Sequence, residues 1–129
     1  MPNAITRVIT WLRGEFVGED AYGNRYYQDK SPAPAGKRRR RWVIYAAPGP
    51  KGGPGAQDDA SRVPQMHHAW LHYTIQDFPD PAKIKRRPWE KDHLPNLTGT
   101  PLAYRPPGHT LRGGHRDRAT GDYEAWTPE

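Results

Sequence analysis

The sequence contains no cysteine, which excludes several kinds of site at once. Without thiolates there is no disulfide framework, no cysteine-ligated zinc site and no cysteine-ligated iron–sulfur cluster. Long apolar runs are also missing, since the longest, residues 42–47, is far shorter than the roughly 20 residues of a membrane-spanning helix. We also find no secretory hydrophobic region followed by a cleavage site. The chain itself is therefore expected neither to hold a cluster nor to span a membrane.

Hydrophobic residues are scarce in this chain. They make up 34% of 129 residues, glycine and proline together number 28, and the mean hydropathy is −1.04. This length allows at most one domain, and such a composition lies close to that of disordered proteins. We therefore predict a small α+β nucleus over residues 1–78, followed by an extended, partner-wrapping arm over residues 79–129.

The strongest strand signal lies in residues 15–45. Gly23 and Asn24 predict a two-residue hairpin turn, because glycine reaches positive φ without steric cost. Such a turn would place Tyr22 opposite Arg25, and residue 20 opposite residue 27. Residues 41–45 predict a third strand, which would complete an antiparallel sheet of about three strands. Trp42 and Ile44 would point to one face of this strand and Val43 and Tyr45 to the other, so both faces require cover.

Two short helices are expected on either side of this sheet. An apolar stripe at helical spacing predicts an amphipathic helix over residues 4–12, capped by Asn3 and ended by Gly14, whose stripe packs on protein; its members are Ile5, Val8, Ile9 and Leu12. A second helix is predicted within residues 58–78, with Asp59 and Ser61 as caps. Its apolar face comprises Val63, Met66, Trp70 and Tyr73. Residues 48–55, rich in proline and glycine, predict a linker before it.

Three histidines on the second helix raise the question of a metal site. His68 and His72 stand at the i, i+4 spacing that two imidazoles need to bind one ion, with His67 beside them. No third ligand is supplied nearby, and no glutamate follows the first histidine as in zinc hydrolases. We therefore expect a structural role for these histidines and predict that they bind no metal; a zinc enzyme is the third alternative.

The last 51 residues show neither helical nor strand periodicity, yet they keep large apolar side chains at isolated positions. Disorder is one interpretation. An arm that places single side chains in pockets of a partner is the other, and it explains why large side chains are retained. The predicted partner-binding residues of nucleus and arm are Trp42, Ile44, Trp70, Trp89, Leu94, Leu97, Leu102 and Tyr104.

Positive charge is concentrated in two clusters within a chain of net charge +6. Residues 31–57 carry six bases and no acid, and residues 83–95 have a net charge of +3. These clusters are interpreted as solvated faces, or as contacts to acidic protein, lipid headgroups or nucleic acid. The main alternative function is a nucleic-acid-binding module in which aromatic rings stack bases beside residues 37–41. The rings in question are Tyr22, Tyr26, Tyr27, Trp42 and Tyr45.

Four sequence blocks resemble one known family. In chain order they are VGEDAYGNRYY at residues 17–27, RWVIY at 41–45, VP at 63–64 with HAWLH at 68–72, and NLTGTP at 96–101. They resemble the supernumerary subunits of respiratory complex I (NADH:ubiquinone oxidoreductase) called the NADH dehydrogenase 1 alpha subcomplex subunit 12 family. Members commonly have tryptophan where Met66 stands, so the packing of that helix face is expected to differ.

This resemblance implies an accessory subunit that is not itself catalytic and has no cofactor. It implies stabilisation or assembly of the peripheral arm near the quinone-reducing module, with quinone-module and iron–sulfur subunits as partners. Contact with lipid headgroups is a further expectation, whereas nucleic acid is not expected. The implied location is peripheral, on the cytoplasmic side of a bacterial inner membrane or the matrix side of the mitochondrial one.

Overall fold

The computed structural model describes residues 3–47 and 58–129, and the linker predicted at residues 48–55 lies outside them. Within this part of the chain the elements are α1 (Ala4–Arg13), β1 (Gly14–Glu19), β2 (Arg25–Asp29), β3 (Arg41–Ile44), a 3-10 turn (Ala60–Arg62), α2 (Gln65–Leu71) and a second 3-10 turn (Thr110–Arg112). The strands form one antiparallel sheet in the order β1-β2-β3. The predicted small α+β fold is confirmed.

Helix α1 begins and ends at the predicted signals. The side chain of Asn3 accepts a hydrogen bond from the backbone N–H of Thr6 at 2.8 Å, which satisfies one of the free N–H groups of the first turn. At the other end, Gly14 adopts an extended conformation and begins β1 directly. A Cβ there would lie 2.5 Å from the Thr10 carbonyl oxygen and 3.0 Å from the Trp42 ring. Only glycine therefore allows the helix to run straight into the sheet.

Strands β1 and β2 form the predicted hairpin, but the predicted register is wrong. Glu19 pairs with Arg25 and Phe16 with Tyr27, and a bulge lies between Phe16 and Gly18. Residues 20–24 form a wider loop than the two-residue turn expected. The loop is closed by Asp20, whose carboxylate accepts hydrogen bonds from two backbone N–H groups further along it, as described below. Side-chain bonds of this kind set a loop length that glycine spacing alone does not indicate.

The core lies between the inner face of the sheet and α2. Three hydrophobic side chains are buried there: Tyr26 from β2, Trp70 from α2 and Val63 from the segment before it. The Phe78 ring fills the space beside Tyr26, with ring centroids 5.5 Å apart. It occupies the position where Gly18 has no side chain, and a Cβ on Gly18 would lie 2.5 Å from Phe78 Cε1. This core is small, as the composition predicts.

Helix α2 is shorter than the predicted segment. It ends at Leu71, and Tyr73 takes a left-handed conformation with φ of 60° that an α-helix cannot continue. The guanidinium of Arg41 stacks on both Trp70 and Tyr73, 4.3 Å and 3.7 Å from their ring centroids. It also donates a hydrogen bond of 2.7 Å to the Trp70 carbonyl oxygen. A cation on the last carbonyls stabilises the end of the helix, so β3 fixes where α2 stops.

Candidate functional site

A buried polar cluster around Asp20 closes the hairpin loop. One carboxylate oxygen accepts hydrogen bonds from the backbone N–H of Tyr22 at 2.8 Å and of Asn24 at 3.0 Å. The other accepts from the Asn24 amide and from the Tyr26 hydroxyl, both at 2.8 Å. Burial, followed by the bond to Asp20, raises the pKa of Tyr26 far above its usual value, so its hydroxyl remains protonated. The carboxylate is thus fully engaged in holding the loop, and this cluster is structural.

Asn24 extends the same cluster to the neighbouring strand and to the turn before α2. Its side-chain oxygen accepts a hydrogen bond from the N–H of Ala46 at 3.1 Å, and its amide donates to the Arg62 carbonyl at 3.3 Å. Asn24 is completely buried. The loop that the sequence predicts as a two-residue hairpin turn therefore links β3 and residues 60–62 to the hairpin.

The three histidines have two different environments. His67 is buried, and its ring stacks on Tyr26 with centroids 4.9 Å apart. Burial lowers the pKa of His67 below its usual 6.5, an effect that the Asp20 carboxylate partly opposes. The rings of His68 and His72 lie 4.2 Å apart on the exposed side of α2. Among residues 3–47 and 58–129, no three or more His, Cys, Asp or Glu side chains are grouped to hold a metal ion.

The outer face of the sheet carries an aromatic row that crosses all three strands. Phe16, Tyr27 and Trp42 are successive cross-strand partners, with ring centroids 5.6 Å and 6.3 Å apart. The indole N–H of Trp42 donates to the Thr10 hydroxyl of α1 at 3.0 Å, and Ile44 lies half-buried further along β3. More than half of the Phe16 side chain remains exposed. This outer aromatic row is a surface on which another protein can pack.

The predicted partner-binding residues divide into three groups. Trp70 is buried in the core, with 2% of its surface exposed, so its ring is used inside this chain and is not presented to a partner. Trp42, Ile44 and Leu97 are half-buried. The remaining four are exposed and lie on irregular backbone of the arm: Trp89, Leu94, Leu102 and Tyr104.

The arm is attached to the nucleus through a short set of hydrogen bonds that we call the arm clamp. The Tyr22 hydroxyl donates to the His93 carbonyl at 2.7 Å, and His93 Nε2 lies 2.7 Å from the Ser61 carbonyl oxygen. The Asn96 N–H donates to the Ser61 hydroxyl at 2.9 Å. Beyond residue 96 every residue that the structure describes is exposed or half-buried. No described residue after Pro79 is buried, so the arm clamp holds a part of the arm that already lies outside the core.

The rings predicted for base stacking do not form one exposed strip. Tyr26 is completely buried, and Tyr22 is held against His93 by the arm clamp. Arg41, the last residue of the basic run, is stacked on α2 aromatics inside the fold. These positions remove much of the support for the alternative of a nucleic-acid-binding module.

A family model described as NADH ubiquinone oxidoreductase subunit NDUFA12 matches residues 14–128. The chain belongs to this family. The resemblance found in the sequence is confirmed, and the match covers β1 to β3, α2 and nearly all of the arm.

Curated relatives agree with the family match. The NADH dehydrogenase [ubiquinone] 1 alpha subcomplex subunit 12 of Bos taurus is 39% identical over 95 residues, covering 72% of this chain and 63% of the relative. The probable subunit 12 of Arabidopsis thaliana is 33% identical over 129 residues, covering 98% and 74%. That of Dictyostelium discoideum is 32% identical over 94 residues, covering 73% and 61%. The chain therefore spans about three-fifths to three-quarters of the length of these NDUFA12 relatives.

Two features of this NDUFA12-family chain were missed in the sequence. The first is the Asp20 cluster, for which the spacing of Asp20 and Asn24 around the turn was an available signal. The second is the orientation of α1, whose apolar stripe is exposed among residues 3–47 and 58–129. In the part of the chain that is described, no helix is long and apolar enough to cross a membrane.

Proposed function

We propose that this chain is a non-catalytic accessory subunit of NADH:ubiquinone oxidoreductase, respiratory complex I. Its role is to stabilise or assemble the peripheral arm of the complex near the quinone-reducing module. The relatives are named as subunits of this enzyme, which supports the proposal. The absence of cysteine supports it too, since electrons must then pass through iron–sulfur clusters of neighbouring subunits.

The observation that carries the proposal is the arm with its exposed anchors. Trp89, Leu94, Leu102 and Tyr104 each have well over half of their surface exposed, on backbone with no regular element of its own. Burying a side chain of this size in a partner contributes about 1.5–3 kcal/mol. Ordering the backbone between the anchors costs conformational entropy that a single anchor does not offset, so attachment requires several anchors together. An arm of this design binds along a partner and gains its stability there.

The partners that fit are other subunits of the peripheral arm, including quinone-module and iron–sulfur subunits. The outer aromatic row offers the nucleus a second contact beside the arm. The location that follows is the inner membrane, on the cytoplasmic side in a bacterium or on the matrix side in a mitochondrion.

The test is retention of tagged variants in complex I on native gels, across a salt series. Trp89→Ala/Leu102→Ala/Tyr104→Ala should be released, while Leu97→Ala alone should stay bound with some loss at high salt. A matched control changes three exposed polar arm residues, His115, Thr120 and Thr127, to alanine, and should stay bound. Full retention of the triple anchor variant at high salt would reassign binding to the nucleus.

A pull-down from detergent-solubilised membranes, repeated after nuclease treatment, separates this function from the alternative. Recovery of complex I subunits in both samples supports the accessory role. Loss of all partners after nuclease treatment would favour the nucleic-acid-binding module.

A further inference from the structure

Helix α1 faces its own protein with its polar side. Thr10 is buried against the sheet and bonded to Trp42, and Thr6, one turn earlier, is half-buried. The apolar stripe lies on a different side of the helix and is exposed: Ile5 69%, Val8 53%, Ile9 49% and Leu12 58%. Trp11, 78% exposed, lies beside it. An amphipathic helix normally buries this stripe, so α1 presents a surface that the described part of the chain leaves uncovered.

The charges around this stripe are positive. α1 contains Arg7 and Arg13 and no acidic residue. At its C-terminal end, Arg13 lines a concavity of about 390 Å³ together with residues 37–40, which are one lysine and three arginines. The one acid in the lining is Asp29, whose carboxylate accepts a hydrogen bond from the Ser31 N–H. Apolar and basic side chains thus lie next to each other at one end of the molecule.

We infer that α1 lies in the headgroup region of an anionic membrane, with its apolar stripe towards the acyl chains. A basic amphipathic helix with a tryptophan has the chemistry of an interfacial helix, and it binds anionic lipid through both apolar and charged contacts. A helix of ten residues is about 15 Å long, which suits lying along the surface. The helix precedes residues 14–128, the part matched by the family model, so the inference concerns a segment that the match does not cover. The inference adds a lipid contact to the proposed function. It rests on that proposed function for the identity of the membrane.

A protein partner could also cover the stripe, but the observations favour lipid. Arg13, at the C-terminal end of the helix, lines the same concavity as Lys37 and Arg40, where long basic side chains reach phosphate groups. Each Arg or Lys near an anionic surface contributes about 1 kcal/mol, which is about fivefold in affinity. Arg13 and the basic residues beside it in the concavity add to one another, although Arg38 also lies over the Tyr73 ring and Arg39 lies 3.9 Å from a Glu15 carboxylate oxygen.

The test is flotation of the full chain with vesicles of phosphatidylcholine alone or of phosphatidylcholine mixed with phosphatidylglycerol. The wild-type chain should bind the mixed vesicles at least about tenfold more tightly, and less so as salt rises. Ile5→Gln/Ile9→Gln should lose binding to both vesicles while the sheet keeps its fold, since these side chains face solvent. Arg7→Gln/Arg13→Gln should weaken binding to the mixed vesicles by roughly ten- to thirtyfold. Leu111→Gln/Tyr123→Gln, also exposed but in the arm, is the matched control and should bind as wild type does.

A depth measurement makes the test specific to α1. Brominated lipids should quench part of the tryptophan fluorescence, and Trp11→Phe should remove that part. Absence of wild-type binding to the mixed vesicles, or equal binding by Ile5→Gln/Ile9→Gln, overturns the inference. Loss of that variant from complex I without any vesicle binding assigns the stripe to a protein partner. Vesicle binding by a chain that does not copurify with complex I would leave the lipid contact standing and refute the proposed function.

Discussion

Removing the Asp20 carboxylate should destabilise the nucleus more than any other single surface-loop change. In Asp20→Ala, the Asn24 N–H and the Tyr26 hydroxyl both lose their acceptor, and both residues are completely buried. An unsatisfied buried donor costs about 1–3 kcal/mol, so these two together cost about 2–6 kcal/mol. The Asn24 side-chain amide is less affected because it also donates to Arg62. Small domains are stable by only about 5 kcal/mol or somewhat more, so much of the fold should be lost.

Two further variants distinguish the loss of the hydrogen-bond acceptors of Asp20 from the other effects of the substitution. Asp20→Asn keeps the shape and one acceptor oxygen, and is expected to lose roughly half as much as Asp20→Ala. Tyr26→Phe removes one of the donors, so combining it with Asp20→Ala should cost less than the sum of the two single changes. Asp117→Ala, which removes an exposed carboxylate in the arm, is the matched control and should change stability by less than about 0.5 kcal/mol.

The assay is urea unfolding of the full chain, followed by tryptophan fluorescence, with amide exchange of Asn24 as a local readout. The Asn24 N–H should be protected in the wild type and exchange quickly in Asp20→Ala. An unfolding midpoint for Asp20→Ala that matches that of Asp117→Ala would refute the argument. The loop would then be closed by its backbone alone.

Three further outcomes are expected from the same unfolding measurement. Gly18→Ala should destabilise by about 1–3 kcal/mol, because its Cβ would lie 2.5 Å from Phe78 Cε1. Arg41→Lys should cost about 1–2 kcal/mol, since an ammonium group loses the planar stacking of the guanidinium while keeping the charge. Stability should fall as pH drops below about 6.5, because burial lowers the pKa of His67 and the unfolded chain then binds more protons than the folded one. His67→Gln should flatten this dependence, and His68→Gln should not.

Each of these outcomes has a contrary result. Gly121→Ala is the control for Gly18→Ala, because an added Cβ at Gly121 meets nothing within 4 Å. An equal loss of stability in the two variants would show that the contact with Phe78 does not cause the effect of Gly18→Ala. Arg41→Lys with wild-type stability would show that charge alone supports the end of α2. A rise in stability on acidification would have the opposite sign to that of a neutral, buried His67.

Periodicity and end signals were sufficient for α1 and β3, whereas the predicted caps of α2 are wrong, because Asp59 caps the 3-10 turn that contains Ser61 and Pro64 precedes α2. The cap at Asn3, the glycine at residue 14 and the strand pattern of residues 41–45 correspond to α1, the start of β1 and β3. These features depend on neighbours in sequence, so local rules describe them well. The family resemblance was carried by four sequence blocks in order. The family model that matches residues 14–128 includes all four and confirms it.

Features set by contacts distant in sequence were not accessible in the same way. The hairpin register follows from Asp20 and the buried Asn24, and the end of α2 follows from Arg41 on another element. The direction of the α1 stripe depends on Thr10 meeting Trp42, which no helical pattern can indicate. For the partner-binding surface, Trp70 was assigned outward by its position among apolar residues, although a core this small requires it inside.

The arm clamp has a consequence for how the chain leaves a complex. It fixes residues 93–96 of the arm beside the turn at Ser61, and residues 97–129 fully extended reach at most about 120 Å from that point. Once the nucleus is docked, the anchors beyond the clamp search only the volume within this reach, at an effective concentration in the millimolar range for short flexible connections. An anchor that dissociates from the partner therefore rebinds before the other anchors dissociate. Residence time would then grow with the number of anchors bound at once, and a chain whose described residues form a small hydrophobic core becomes a persistent component of a large assembly.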